Sequence, residues 1–215
     1  MNLPNMLTIS RLFLAGLIMI LLTLSFPYSK SLALLIFAIA GITDFLDGHI
    51  ARKYNMVTSF GQLMDPLTDK VMVCAAFVSF AEISFAHPGT FLHQGVWVGG
   101  VELVPLVPAW ITVVIISREF MVTGLRLLAV NKGVVISAGK WGKHKTVWQI
   151  VGIVILLIGL SYRYDFIGRA GADELARFDF VFIYAAHALS LGVALITVAS
   201  GFLYFSQHRD LITRR

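Results

Sequence analysis

The sequence predicts an all-α, polytopic membrane protein: six transmembrane helices, an N-terminal segment lying at the membrane interface, and both termini in the cytoplasm. Three observations predict it. Of the 215 residues 58% are hydrophobic and only 13% charged, and the mean hydropathy is +0.82, far from the balance of a water-soluble domain. Apolar runs of about 20 residues, the length needed to cross a bilayer as helix, recur from one end of the chain to the other. No polar block between them is large enough to fold separately, so the whole chain, 1–215, reads as one domain.

The six segments are Leu7 to Phe26, Ser31 to Ala51, Gly61 to Phe85, Val104 to Val130, Thr146 to Tyr162 and Phe178 to Phe205. Each is assigned as helix, because lipid offers backbone amides no partner and the runs lack the strict alternation of a barrel strand. Arg11 interrupts the first run and no basic region precedes it, so this segment is expected to stay in the mature protein rather than act as a cleaved signal.

Orientation follows from the cations between segments. Arg52, Lys53, Lys132, Lys140, Lys143, Lys145, Arg209, Arg214 and Arg215 fall on one side, and Lys30, Arg163, Arg169 and Arg177 on the other. The richer side is expected in the cytoplasm. Trp97 and Trp110, near the outer end of the fourth segment, read as interfacial anchors. The net charge of +5 has no aromatic-basic module beside it, so a membrane carrying anionic lipid explains it better than nucleic acid does. Cys74, the single cysteine, excludes an intramolecular disulfide and reads as core filler.

Four carboxylates stand out because they are costly. Asp44, Asp47, Asp65 and Asp69 lie at the inner ends of the second and third segments, where an aspartate at mid-membrane depth costs about 2.5 to 3.5 kcal/mol by insertion scales. Asp44 and Asp47 are i,i+3 and share a helical face with Gly48, Ala51 and Arg52, while Gly61, Asp65 and Asp69 step by four along a second face. Facing carboxylates repel unless a cation neutralises them or some protonate. All-oxygen ligation selects a hard ion, Mg²⁺ or Mn²⁺. The small residues let a ligand or the partner helix approach the backbone, and Arg52 adds a fixed cation suited to phosphate.

The full pattern Asp44-x-x-Asp47-Gly48-x-x-Ala51-Arg52, eight residues, then Gly61-x-x-x-Asp65-x-x-x-Asp69 resembles the signature of the CDP-alcohol phosphotransferases at each of its fixed positions. The resemblance implies a cytoplasm-facing site in a six-helix bundle of the inner membrane, transferring the phosphatidyl group of CDP-diacylglycerol to a small alcohol. It implies that the four aspartates bind the metal and that Asp69 also activates the acceptor hydroxyl. It further implies that Gly48, Arg52 and a hydroxyl near Thr58 contact the CDP moiety. The stretch Pro4-Asn5-x-x-Thr8-x-x-Arg11 resembles a segment lying at the membrane surface near the nucleotide, which brings Asn5 and Thr8 into the donor site. A homodimer is implied as well.

The signature does not choose the acceptor. Arg118, Glu119 and Arg126 lie inside an otherwise apolar fourth segment, and intramembrane arginines need an anion or a cavity. Eight residues apart, the two arginines can face one pocket. Lys140, Lys143 and Lys145 enter the fifth segment close by, and together these cations suit a dianionic phosphate. The alternative is that Glu119 simply pairs with Arg118 or a neighbouring lysine. Because both blocks resemble the bacterial branch of the family that uses glycerol 3-phosphate, that acceptor is expected. Inositol phosphate, phosphatidylglycerol or serine are the alternatives within the same chemistry. A cation transporter, the alternative from another class, would place ionisable groups on both halves of the membrane. The histidines show no ligand spacing.

Overall fold

The computed structural model describes residues 3–53, 59–87, 90–92, 95–131, 140–169 and 171–207. Six long helices account for most of them: α1 Leu3–Thr23, α2 Ser29–Lys53, α3 Ser59–Glu82, α4 Ala109–Asn131, α5 Lys140–Ser161 and α6 Ala172–Gln207. At 1.5 Å per residue even α1 spans about 30 Å, the thickness of a hydrocarbon core. The stretch expected at the membrane interface, Pro4 to Arg11, is continuous with α1, and a proline in the first turn is compatible with that because its missing N–H has no intrahelical partner there.

α1 ends where the chain turns through Tyr28, whose φ is 64°. Lys30 at the start of α2 then reaches back, donating to the carbonyls of Leu21 (3.3 Å), Leu22 and Leu24 (2.8 Å). An ammonium thus satisfies the carbonyls that a helix C-terminus leaves without partners. α6 begins with Asp173 and Glu174 in its first turn, where negative charge complements the positive helix end.

Between α3 and α4 the structure departs from the expected helices. Phe85 lies in strand β1 (Ser84–Ala86), and β2 (Val96–Val98) and β3 (Val101–Pro105) complete an antiparallel sheet of order β1-β3-β2. Gly99 and Gly100, with φ of 59° and 85°, form the two-residue turn that pairs Val98 with Val101; positive φ at both positions matches strand twist and favours glycine. α4 therefore starts after Pro108, five residues later than hydropathy suggests, because the apolar run continues through β3 without marking the change.

α1 packs against both α2 and α3, α5 against α2 and α6, and α4 against α3 and α6. The core includes Ile18, Phe37, Phe77, Phe80, Ile115, Ile153, Leu157 and Ile183. α5 meets α6 closely at two glycines seven residues apart: a Cβ on Gly152 would come within 3.2 Å of Val193, and one on Gly159 within 2.1 Å of Phe182. Small residues permit such approaches between apolar helices.

The outward faces are apolar too. Phe13, Val113, Leu195 and Phe202 are 73%, 62%, 62% and 74% exposed, an arrangement costly in water and suited to lipid. Among the described residues His144–Phe166 and Ala172–Gln207 are long and apolar enough to cross a membrane, and Ile9–Thr23 and Ser29–Thr43 are shorter apolar helices. The helices fit a membrane protein.

Three connections meet at one end of the bundle. Ser31 N and Oγ donate to Asp165 Oδ2 at 2.8 and 2.5 Å, the Arg163 guanidinium lies 4.5 Å over Phe85, and the His87 ring packs on Phe180 and Tyr184. The α1–α2 turn, the sheet and the α5–α6 connection thus form one cap. Trp97 in β2 is 70% exposed and Trp110 in the first turn of α4 is 46% exposed, both at this end. The C-terminal ends of α2 and α4 and the N-terminal ends of α3 and α5 lie at the other end.

Candidate active site

Those opposite ends carry the residues singled out by the sequence. The backbone is helical through Asp44, Asp47, Gly48 and Arg52 on α2 and through Gly61, Asp65 and Asp69 on α3, so the spacing of these positions is read on a helix. Both helices pack on α1, which carries Asn5 and Thr8 in helical backbone and a buried Arg11, 1% exposed. The side chains of Asn5, Thr8, Gly61 and the signature residues of α2 and α3 lie outside the described residues, as does Thr58 altogether. By type the four aspartates fit a hard divalent cation: they supply only oxygen, from two helices, with charge enough to bind it. Among the described side chains no three His, Cys, Asp or Glu residues gather as a metal site requires.

The second group is described at the atomic level. Glu119 of α4 is 5% exposed. Its Oε1 accepts from Lys145 Nζ of α5, from Arg118 Nη1 at 3.3 Å and from Gln149 Nε2 at 3.4 Å. Arg118 Nη2 also donates to Ser200 Oγ of α6 at 3.0 Å. Its Nε is buried without a hydrogen-bond partner among the described residues. Arg126, two turns further along α4, donates from Nε to Tyr204 Oη at 3.2 Å and lies 5.4 Å over the Tyr204 ring.

The structure thus brings Arg118, Lys145 and Glu119 into one buried ionic group and sets Arg126 beyond it. The pairing that stood as the alternative for Glu119 is present, with Arg118 and Lys145 at once. Arg118 and Lys145 share the single negative charge of Glu119, and Arg126 makes its side-chain bond to Tyr204. Lys140 and Lys143 start α5 in helical backbone, their side chains outside the described residues.

Sequence reading missed the contribution of α6 and of Gln149. Thr197, Ser200 and Tyr204 step by three and four along one face of α6, and Gly201 between them leaves room for the Arg118 stem, since a Cβ there would lie 3.0 Å from Arg118 Cγ. The signal was a polar stripe with a glycine in an apolar helix. Cys74 is half-buried and free. His187 is fully buried and links Thr90 to the Pro105 carbonyl, a structural role at the capped end.

Long helices with apolar outer faces, two pairs of aspartate positions at helical spacing on α2 and α3, and a buried ionic group joining α4 and α5 define a helical membrane protein. The chain belongs to the CDP-alcohol phosphatidyltransferase family, whose model matches residues 1–198. A Bacillus subtilis (strain 168) protein named CDP-diacylglycerol–glycerol-3-phosphate 3-phosphatidyltransferase is 36% identical over 224 residues, 98% of this chain and 97% of that protein. A Haemophilus influenzae protein of the same name is 34% identical over 94% of this chain and 95% of its own length. One from Rickettsia bellii is 35% identical over 74% of this chain and 76% of its own.

Proposed function

We propose that this chain transfers the phosphatidyl group of CDP-diacylglycerol to glycerol 3-phosphate, releasing CMP and forming phosphatidylglycerophosphate. The observation that carries this reading is the end-to-end likeness to relatives bearing that name, in a chain whose α4 and α5 gather cations around one carboxylate. The protein works in the cytoplasmic membrane with the aspartate-bearing end facing the cytoplasm, as a homodimer.

The roles follow from chemistry. Gly48, Arg52 and Thr58, with Asn5 and Thr8 of α1, hold the CDP moiety. Asp44, Asp47, Asp65 and Asp69 hold a divalent cation, Mg²⁺ or Mn²⁺, which when bound neutralises pyrophosphate charge and makes CMP a better leaving group. Arg118, Arg126, Lys140, Lys143 and Lys145 bind and orient the acceptor's phosphate, leaving its 1-hydroxyl directed at the donor. Asp69 takes the hydroxyl proton as the oxygen attacks the distal phosphorus. One P–O bond forms, the bond to CMP breaks, and CMP leaves with the electron pair. No side chain becomes phosphatidylated.

Purified enzyme in mixed micelles with CDP-diacylglycerol and a panel of acceptors tests this. Phosphatidylglycerophosphate should form with glycerol 3-phosphate, while turnover confined to inositol phosphate, serine or phosphatidylglycerol would overturn it.

A further inference from the structure

The Glu119 carboxylate is not explained by the proposed chemistry, since a negative charge beside a phosphate site weakens anion binding. Its surroundings form a closed circuit across three helices. Gln149 Nε2 reaches both Glu119 Oε1 and, at 3.5 Å, Thr197 Oγ1. Ser200 Oγ donates to the Thr197 carbonyl at 2.9 Å and accepts from Arg118, which returns to Glu119. Gln149, Thr197 and Ser200 are 1%, 0% and 3% exposed, so these bonds are shut off from bulk solvent.

We propose that Glu119 is a positioning residue for the acceptor site, fixing Arg118 and Lys145 in the geometry that receives the phosphate of a small phosphorylated alcohol. This rests on the reading above that these cations bind the acceptor. Arg118 and Lys145 are long side chains that lose rotamer freedom when fixed, and two unscreened cations in a buried group repel. Glu119 removes both problems. It consumes one of their two charges and sets the guanidinium plane through Nη1, while Ser200 sets it through Nη2. One charge in this group, and that of Arg126 two turns away, stays available to the ligand.

The sign of the effect separates positioning from charge alone. Glu119→Gln makes the group more positive, so simple electrostatics lowers the KM for glycerol 3-phosphate. Positioning predicts a rise of tenfold or more, with the KM for CDP-diacylglycerol within about twofold of wild type. Glu119→Asp keeps the charge with shorter reach and should recover part of the loss. Thr197→Val and Ser200→Ala break the circuit without changing charge, so they test the idea even where Glu119→Gln does not fold. Each should raise the acceptor KM selectively, by about three- to tenfold. An acceptor KM that falls or stays unchanged in Glu119→Gln, or is unchanged in both neutral variants, overturns the proposal. So does an equal rise for both substrates, which marks a merely structural role. Failure of the wild-type enzyme to use glycerol 3-phosphate would instead overturn the acceptor assignment. The same variants, run with whichever phosphorylated acceptor is turned over, then still decide the role of Glu119.

Discussion

Replacing Arg118 with alanine tests the assignment of the acceptor site most directly. In the free protein Arg118 gives Nη1 to Glu119 at 3.3 Å and Nη2 to Ser200 at 3.0 Å, with its side chain 12% exposed. Truncation leaves Glu119 its bonds from Lys145 and Gln149, so the bundle keeps a compensated carboxylate and should still fold. What is lost is a charge-assisted contact to the ligand, worth about 1.5 to 3 kcal/mol. At 1.4 kcal/mol per decade this is a rise of roughly 10- to 150-fold in the KM for glycerol 3-phosphate. Arg118→Lys retains the charge without the planar fork and should fall between wild type and alanine. Initial rates in mixed micelles, with one substrate varied at saturation of the other, separate the two KM values. If Arg118→Ala weakens CDP-diacylglycerol as much as glycerol 3-phosphate, or changes neither, the acceptor pocket is misplaced.

Three other outcomes are expected. Chelation should abolish turnover and Mg²⁺ or Mn²⁺ restore it, because the proposed site gathers four carboxylates whose ionised forms repel without a cation; full activity in metal-free enzyme contradicts this. Asp69→Asn should retain CDP-diacylglycerol binding, followed by filter or calorimetric titration, while turnover falls by about 10²- to 10⁴-fold, the contribution of a general base. Gly159→Ala places a methyl 2.1 Å from a ring carbon of Phe182, which is itself held by Phe178 at 5.3 Å and Phe85 at 6.2 Å. That overpacking should cost about 1 to 3 kcal/mol in thermal unfolding, and Phe182→Leu in the same chain should relieve part of it; an unchanged melting temperature refutes the close α5–α6 contact.

How much of this was legible before any coordinates depended on how costly each residue is in lipid. Asp44, Asp47, Asp65 and Asp69 are conspicuous because a carboxylate in an apolar helix requires a reason. The hydroxyls of Thr197 and Ser200 are not, since they can bond to carbonyls of their own helix, as Ser200 does to Thr197. Only the packing of α4 and α5 on α6 makes Ser200 a partner of Arg118 and Thr197 a partner of Gln149. The helix spans were legible for the same reason as the aspartates, by hydropathy, and that criterion failed where it carries no information. Val101 to Pro105 is apolar whether strand or helix. The turn chemistry at Gly99 and Gly100, between two valine-rich runs, and the prolines at 105 and 108 were the better guides to the sheet and to the start of α4.

The two ends of the bundle differ in charge balance, and the difference bears on where anionic substrates enter. At the capped end Arg163 forms a double ion pair with Asp179, at 2.6 and 2.7 Å, and Lys30 lies within electrostatic reach of Asp165 while its ammonium is taken up by α1 carbonyls. These two cations each lie near an anion, and the paired groups join α2, the α5–α6 connection and α6 to one another. Around Glu119 two cations, Arg118 and Lys145, meet one carboxylate among the described residues, with Arg126 two turns away, and an Arg118 donor remains without a partner among the described residues. The ion pairs of the cap hold the helices in place. An end with surplus positive charge draws phosphorylated molecules toward it. Because the same α5 and α6 run from one end to the other, the ion pairs of the cap fix the helix positions on which Lys145, Gln149 and Ser200 depend. Phosphate-bearing substrates are therefore expected to enter at the end opposite the cap.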